Sequence, residues 1–292
     1  MRLILFLVLI SIHSSVEAQG PGDTSNTEFY MQRFTWSTAS VGAVSVGSIY
    51  GLSKLWYSQE NQGSFHLFND AKNWMQMDKL GHSFSCYHMT RGLDALFSWT
   101  GLEKRKGILL AAGISFGYFT SIEVLDGFSE SWGFSFSDMG FNALGIGIYV
   151  FQENYFKSQI FKPKFSFHQT RFAEQRPTVL GSNFAESLLK DYNGQTYWLS
   201  FSPQQMGVQK WPSWLMISLG HSIRGRLKGD ATSHEGITSH REFLFSLDLD
   251  LSQFKVKSKL LRGLLEAFNT LKIPFPSLIY ANGKMNARPI YF

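Results

Sequence analysis

Two stretches without a single charged side chain, Ser37 to Ser53 and Ile108 to Ile122, constrain this chain more than any other feature. Such a run cannot stay open to water as a loop. It has to be packed as a helix or placed in lipid. In the first, Gly42, Gly47 and Gly51 are interspersed with Ala, Val and Ser, and Trp36, Trp56 and Tyr57 bracket the run. Small residues let helices approach closely, and flanking aromatics suit a membrane interface. Further apolar helices are predicted over Asp78 to Phe97, Gly107 to about Leu125, and Asp138 to about Tyr155, with the polar connection Gly101-Leu102-Glu103-Lys104-Arg105-Lys106 before the middle one. Four such helices joined by short loops predict a bundle embedded in a bilayer or dipping into one. The alternative is the buried core of a soluble protein, since the first run is a little short for a full span.

Beyond Lys162-Pro163-Lys164 the texture changes to alternation and turn dipeptides. Tyr197 to Phe201 after Asn193-Gly194 reads as a strand, and Arg241 to Leu251 puts Phe243, Phe245, Leu247, Leu249 and Leu251 on one face with Ser246, Asp248 and Asp250 on the other. This period of two predicts a half-buried strand. Leu260, Leu261, Leu264, Leu265, Phe268 and Leu271 then recur at helical spacing behind Ser258, a cap residue, and the tail around Asn282-Gly283 reads as a closing hairpin. The expected fold class is therefore α+β: a helical, membrane-associated domain over residues 29–160, then a mixed domain over 165–292 with strands and one amphipathic helix.

At the start, Arg2 precedes the apolar run Leu3 to Ile12, and Val16-Glu17-Ala18 supplies small residues at the cleavage positions. This predicts a signal peptide over 1–18, a loose leader over 19–28 and export to the bacterial envelope, on the periplasmic side. Cys86 is the only cysteine, which excludes an internal disulfide and leaves no cysteine after the signal to accept a lipid. Lys and Arg number 27 against 22 acidic residues, and aromatics make up 16% of the chain. The mild basic excess in an exported chain argues against nucleic acid as a partner, and with the aromatic content it favours membrane lipid, an envelope protein being the other partner open to it.

The chemistry-bearing residues lie in the helical half. Asp78 and His82 are four apart on one helix face, Glu123 and Asp126 end the third helix, and Asp138 and Asn142 repeat the four-residue spacing at the start of the fourth. In apolar helices such groups cannot stay unpartnered, so Asp78, His82, Glu123, Asp138 and Asn142 are expected to face one another. Two readings compete. In one, they form a satisfied polar network that fixes helix register, with Asn142 bonding between helices. In the other, His82 is a general base or metal ligand oriented by Asp78, while Glu123 and Asp138 bind a metal or polarise a substrate. The first reading makes the chain a non-catalytic structural or assembly component. The second makes it an envelope hydrolase or transferase acting on lipid or glycan precursors. The sequence names no cofactor, and whether a metal binds is open.

Set side by side, Asp78-Lys79-x-x-His82, Glu123 and Asp138-x-x-x-Asn142 resemble the pattern of VanZ-like membrane proteins. With Trp132-Gly133-Phe134-Ser135 added, residues 75 to 150 more closely resemble the YfiM-like family of predicted periplasmic lipoproteins. The downstream Tyr192-Asn193-Gly194-Gln195-Thr196-Tyr197-Trp198-Leu199 and Pro274-x-Pro276 are similar to longer members from Bacteroidetes-type bacteria. That resemblance implies an envelope location and no particular reaction.

Three weaker signals remain. His234, Glu235 and His240 could hold a metal but read first as a loop. Arg224, Arg226 and Lys228 read as a solvated basic turn or a contact for lipid phosphate. The C-terminal Phe292 is similar to the ends of outer-membrane barrel strands, but Asn286 and Arg288 break the apolar alternation such a strand needs, so a complete barrel is not expected.

Overall fold

The computed structural model describes residues 29–54, 62–231, 233–234 and 236–292. The expected signal peptide and leader, the bracketing Trp56 and Tyr57, and Glu235 lie outside the described residues. The fold is α+β, helices first and strands after. The chain divides into two compact units, one of residues 1–71, 85–151 and 258–263, the other of 72–84, 152–257 and 264–292.

The helical unit is built on α1 (Met31–Leu52), α2 (Met77–Trp99), α3 (Lys104–Gly127) and α4 (Phe136–Tyr155). The three helices expected after the first appear within a few residues of their sequence limits, because each carries apolar side chains at helical spacing and ends at a recognisable stop. At the end of α2, for example, Gly101 takes a φ of 77°, its N–H donates to Ser98 O at 3.0 Å and that of Leu102 to Phe97 O at 3.4 Å. This is the left-handed helix stop that glycine permits. One apolar core draws on all four helices, with Val41 and Leu52, then Cys86, Leu93 and Phe97, then Ala111, Phe119 and Ile122, and finally Ile146. The glycines of α1 play no part in close packing: a Cβ added at Gly42, Gly47 or Gly51 would meet nothing within 4 Å among the described residues. The buried Asp94 of α2 ties the helices together, accepting from Lys104 Nζ and from Tyr149 Oη of α4, each at 2.5 Å.

In the second unit a six-stranded antiparallel sheet runs in the order β1 (Phe161–Phe167), β2 (Gln195–Phe201), β3 (Leu215–Arg224), β6 (His240–Leu249), β7 (Phe275–Ala281), β8 (Lys284–Tyr291). A small hairpin, β4 (Ser233–His234) and β5 (Ile237–Thr238), lies in the β3–β6 connection, and three short helices, α5 (Arg171–Gln175), α6 (Pro177–Leu180) and α7 (Phe184–Lys190), join β1 to β2. α8 (Lys259–Phe268) is capped by Ser258, whose Oγ accepts from Leu261 N at 3.3 Å. β7 and β8 turn through Asn282 and Gly283, both at positive φ, as the tail predicts.

β6 alternates and is half-buried as its period of two predicts, and the covered face is the polar one. Phe243 and Phe245 of β6 are exposed, while Ser246, Asp248 and Asp250 are buried. The reason lies across the strands: Ser200, Ser218, Ser246 and Ser277 sit side by side in register on the same face, all buried. Ser200 Oγ lies 2.6 Å from Ser218 Oγ and donates to Asp248 at 3.0 Å. Lys164 of β1 meets Asp248 at 2.7 Å with both side chains fully buried, and Lys162 meets Asp250 at the same distance. A charge is buried only when paired and hydrogen-bonded, and these are both. Tyr291 closes the inner face, with its Oη 3.1 Å from Thr196 Oγ1 and its ring 5.9 Å from that of Trp198, so the sheet curls until its last strand reaches β2.

The basic turn is corrected. Arg226 is buried and donates to Gly229 O and Ser239 Oγ, and Arg224 donates to Glu242 at 3.0 Å.

Candidate functional site

Asp78 follows an unusual turn. Trp74, Met75 and Gln76 take φ of 47°, 50° and 63°, three successive left-handed residues without a glycine. Each costs about 1–3 kcal/mol, so the turn persists only if its surroundings hold it. Trp74 N–H donates to Gly229 O at 2.8 Å, and its ring packs 5.1 Å from that of Tyr192. Arg241 donates to Met75 O at 2.7 Å and also to Gln76 Oε1. The same guanidinium lies 3.1 Å from His221 Nε2, and burial with this cation holds the His221 pKa below the ordinary histidine value. His221 thus stays a neutral acceptor.

From this turn α2 starts with Asp78 in its first turn, where the helix dipole favours an acid. Tyr192 Oη donates to Asp78 Oδ1 at 2.7 Å. The other carboxylate oxygen has Lys79 Nζ at 3.4 Å and His82 Nε2 at 3.9 Å, and the side chains of Lys79 and His82 are buried. The pairing of Asp78 with His82 on one helix face is as the spacing predicts. Gly81 between them has its own reason: a Cβ there would lie 2.8 Å from Tyr197 Oη, so only glycine admits that phenol. Tyr192 and Tyr197 both belong to the Tyr-Asn-Gly-Gln-Thr-Tyr-Trp-Leu segment.

Glu123, Asp138 and Asn142 are buried in the helical unit. Ser135 is the N-cap of α4, accepting from Asp138 N at 3.1 Å, in the Ser-x-x-acid spacing of a capping box. Asp70 anchors that cap, accepting from Ser135 Oγ at 2.5 Å and from Ser137 Oγ at 2.8 Å. One turn on, Asn142 Oδ1 accepts from Cys86 Sγ at 3.3 Å. Thr120 Oγ1 contacts Met139 Sδ at 3.6 Å, which brings the C-terminal turns of α3, with Glu123, level with the first turns of α4.

Sequence reading misses Tyr192, Tyr197, Arg241 and Asp70, and only the Tyr-Asn-Gly segment signalled any of them. The expectation that no Gly-x-Ser-x-Gly elbow is present needs a correction, since Gly113-Ile114-Ser115-Phe116-Gly117 has that spacing. That spacing falls in the middle of α3 with Ser115 fully buried, not at the strand-to-helix turn that exposes such a serine. Two carboxylates and an imidazole, from Asp78, Asp138 and His82, are donors of the type that hold a divalent cation.

No curated protein and no solved structure matches the chain. Residues 63–154, which contain all five candidate residues, match the family described as predicted periplasmic lipoprotein (DUF2279).

Proposed function

We propose that the protein is a membrane-associated structural or assembly component of the cell envelope, in which Asp78, His82, Glu123, Asp138 and Asn142 close into one buried polar centre that fixes the register of the helices. The observation that carries this reading is a parallel register between α2 and α4: Cys86 meets Asn142, and two turns later Asp94 meets Tyr149. Burial of all these groups except the partly covered Asp78 suits a fastener better than a solvent-fed reaction centre. Membrane association is supported by α3, whose 24 residues span about 36 Å at ~1.5 Å per residue and are apolar enough to cross a bilayer. Trp36, Val46 and Tyr50 of α1 and Leu109 of α3 are exposed.

The donor set supports a second reading, an envelope hydrolase or transferase acting on lipid or glycan precursors with a cation held by Asp78, His82 and Asp138. His82→Ala separates the two. As a fastener, His82 leaves partners orphaned when removed, so the melt of the purified variant drops by a few kcal/mol and complementation of a deletion strain falls only with folded protein. If the variant melts like wild type and fails to complement, the fastener reading is wrong. A rise in the wild-type melt on adding zinc or manganese, absent in His82→Ala, would then favour the catalytic one.

A further inference from the structure

We propose that the outer face of the β-sheet is a phospholipid-binding surface, seated on a bilayer through its own apolar side chains. A sheet with one solvated face ordinarily buries its apolar side and presents its polar one. Here most of the polar side chains are buried and the exposed face is apolar. The inner face holds the serine row, the Lys164–Asp248 and Lys162–Asp250 pairs and Thr196, around a small apolar cluster of Trp198, Leu244, Ile279 and Tyr291. The outer face carries Leu199, Leu219, Phe245 and Leu278 in one register row, flanked by Phe243, Tyr280, Met285 and Ile290, all 38% to 63% exposed. The patch crosses five neighbouring strands, on the order of 19 Å at the ~4.8 Å strand spacing.

Asn286 and Arg288 do not break it. They pair with Ile279 and Ser277, whose side chains belong to the inner face, so the alternation of β8 continues that of its neighbours. An outer face that is apolar along successive strands, over an interior that takes most of the polar side chains, is the pattern of strands solvated by lipid.

The occupant follows from what adjoins the sheet in the chain. α8 exposes Leu260, Leu261, Leu264 and Phe268, and Lys255, Lys257 and Lys259 around its start are exposed too. A cationic amphipathic helix of this kind lies in an interface and is drawn to anionic headgroups, which matches a bilayer and not a second apolar protein face. Trp214, exposed just before β3, suits the same interface.

This inference shares its lipid partner with the reading above but uses a different surface, and the test keeps them apart. Single cysteines are placed at the exposed Leu219, Phe245 and Leu278, and separately at Trp36 of α1, in the full chain. They are labelled with an environment-sensitive fluorophore and mixed with vesicles of phosphatidylethanolamine and phosphatidylglycerol. Cys86 is fully buried and stays in place, and wild type treated with the same reagent sets the background. The expected result is a blue shift at all three sheet positions, with emission lost to lipid spin-labelled on the acyl chain. A label at Asn282, in the hairpin turn, should shift less. Unshifted sheet labels overturn the proposal, whatever the Trp36 label does. So does a shift that occurs without vesicles and scales with protein concentration, because a second copy then covers the face. A silent Trp36 label beside responsive sheet labels would count against the helical surface alone.

Discussion

Asp250 shows how much one buried side chain can contribute. Burial works against its charge, but Lys162 at 2.7 Å and hydrogen bonds from Ser252 and Asn269 outweigh it and bring its pKa down to about 2. A carboxyl that is more acidic when folded stabilises the fold above its ordinary pKa near 4, and loses that contribution as pH falls toward 2. Wild type should therefore exceed Asp250→Asn by ~2 kcal/mol at neutral pH, and the gap should close between about pH 4 and pH 2. Urea melts of both across that range check it, and a gap constant with pH would refute it. At this scale the sequence was informative about acids and histidine, since buried charges in apolar helices demand partners. It was silent on those partners. Tyr192 and Arg241 look like any surface tyrosine or arginine until folding brings them to Asp78 and Met75.

Elements were legible to the degree that their periodicity was. The 3.6-residue rhythm and the Gly101 stop delimit α2, and Asn282-Gly283 marks the last hairpin. Alternation in β6 divides its residues into two faces but does not say which is inside. That depended on the serines and lysines of other strands, which meet the polar face of β6. The left-handed turn before α2 carries no glycine to betray it. It depends on Arg241, and Arg241→Ala should lower stability by about 2–3 kcal/mol, because charged hydrogen bonds to Met75 O and Gln76 are lost. Hydrogen exchange should quicken over Trp74 to Gly81 more than elsewhere. Unchanged protection there would mean that the turn is held by something other than Arg241.

For the molecule as a whole, the apolar helices and the outward-facing strands give one expectation: the protein sediments with membranes. It should stay there through high-salt and carbonate washes and leave only with detergent. Full release by carbonate as a monodisperse species would make the helices a soluble core.

The compact units are interleaved along the chain, and this bears on how the protein comes into being. Residues 72–84 belong with the sheet, yet Arg241, which grips Met75, comes 166 positions later. A polypeptide emerging from its N-terminus therefore makes the first turns of α2 long before anything exists to hold them. Contacts so distant in sequence form late and slowly. The neighbourhood of Asp78 is thus among the last parts to set, and a fragment cut after the helices would carry the family's motif without the means to shape it.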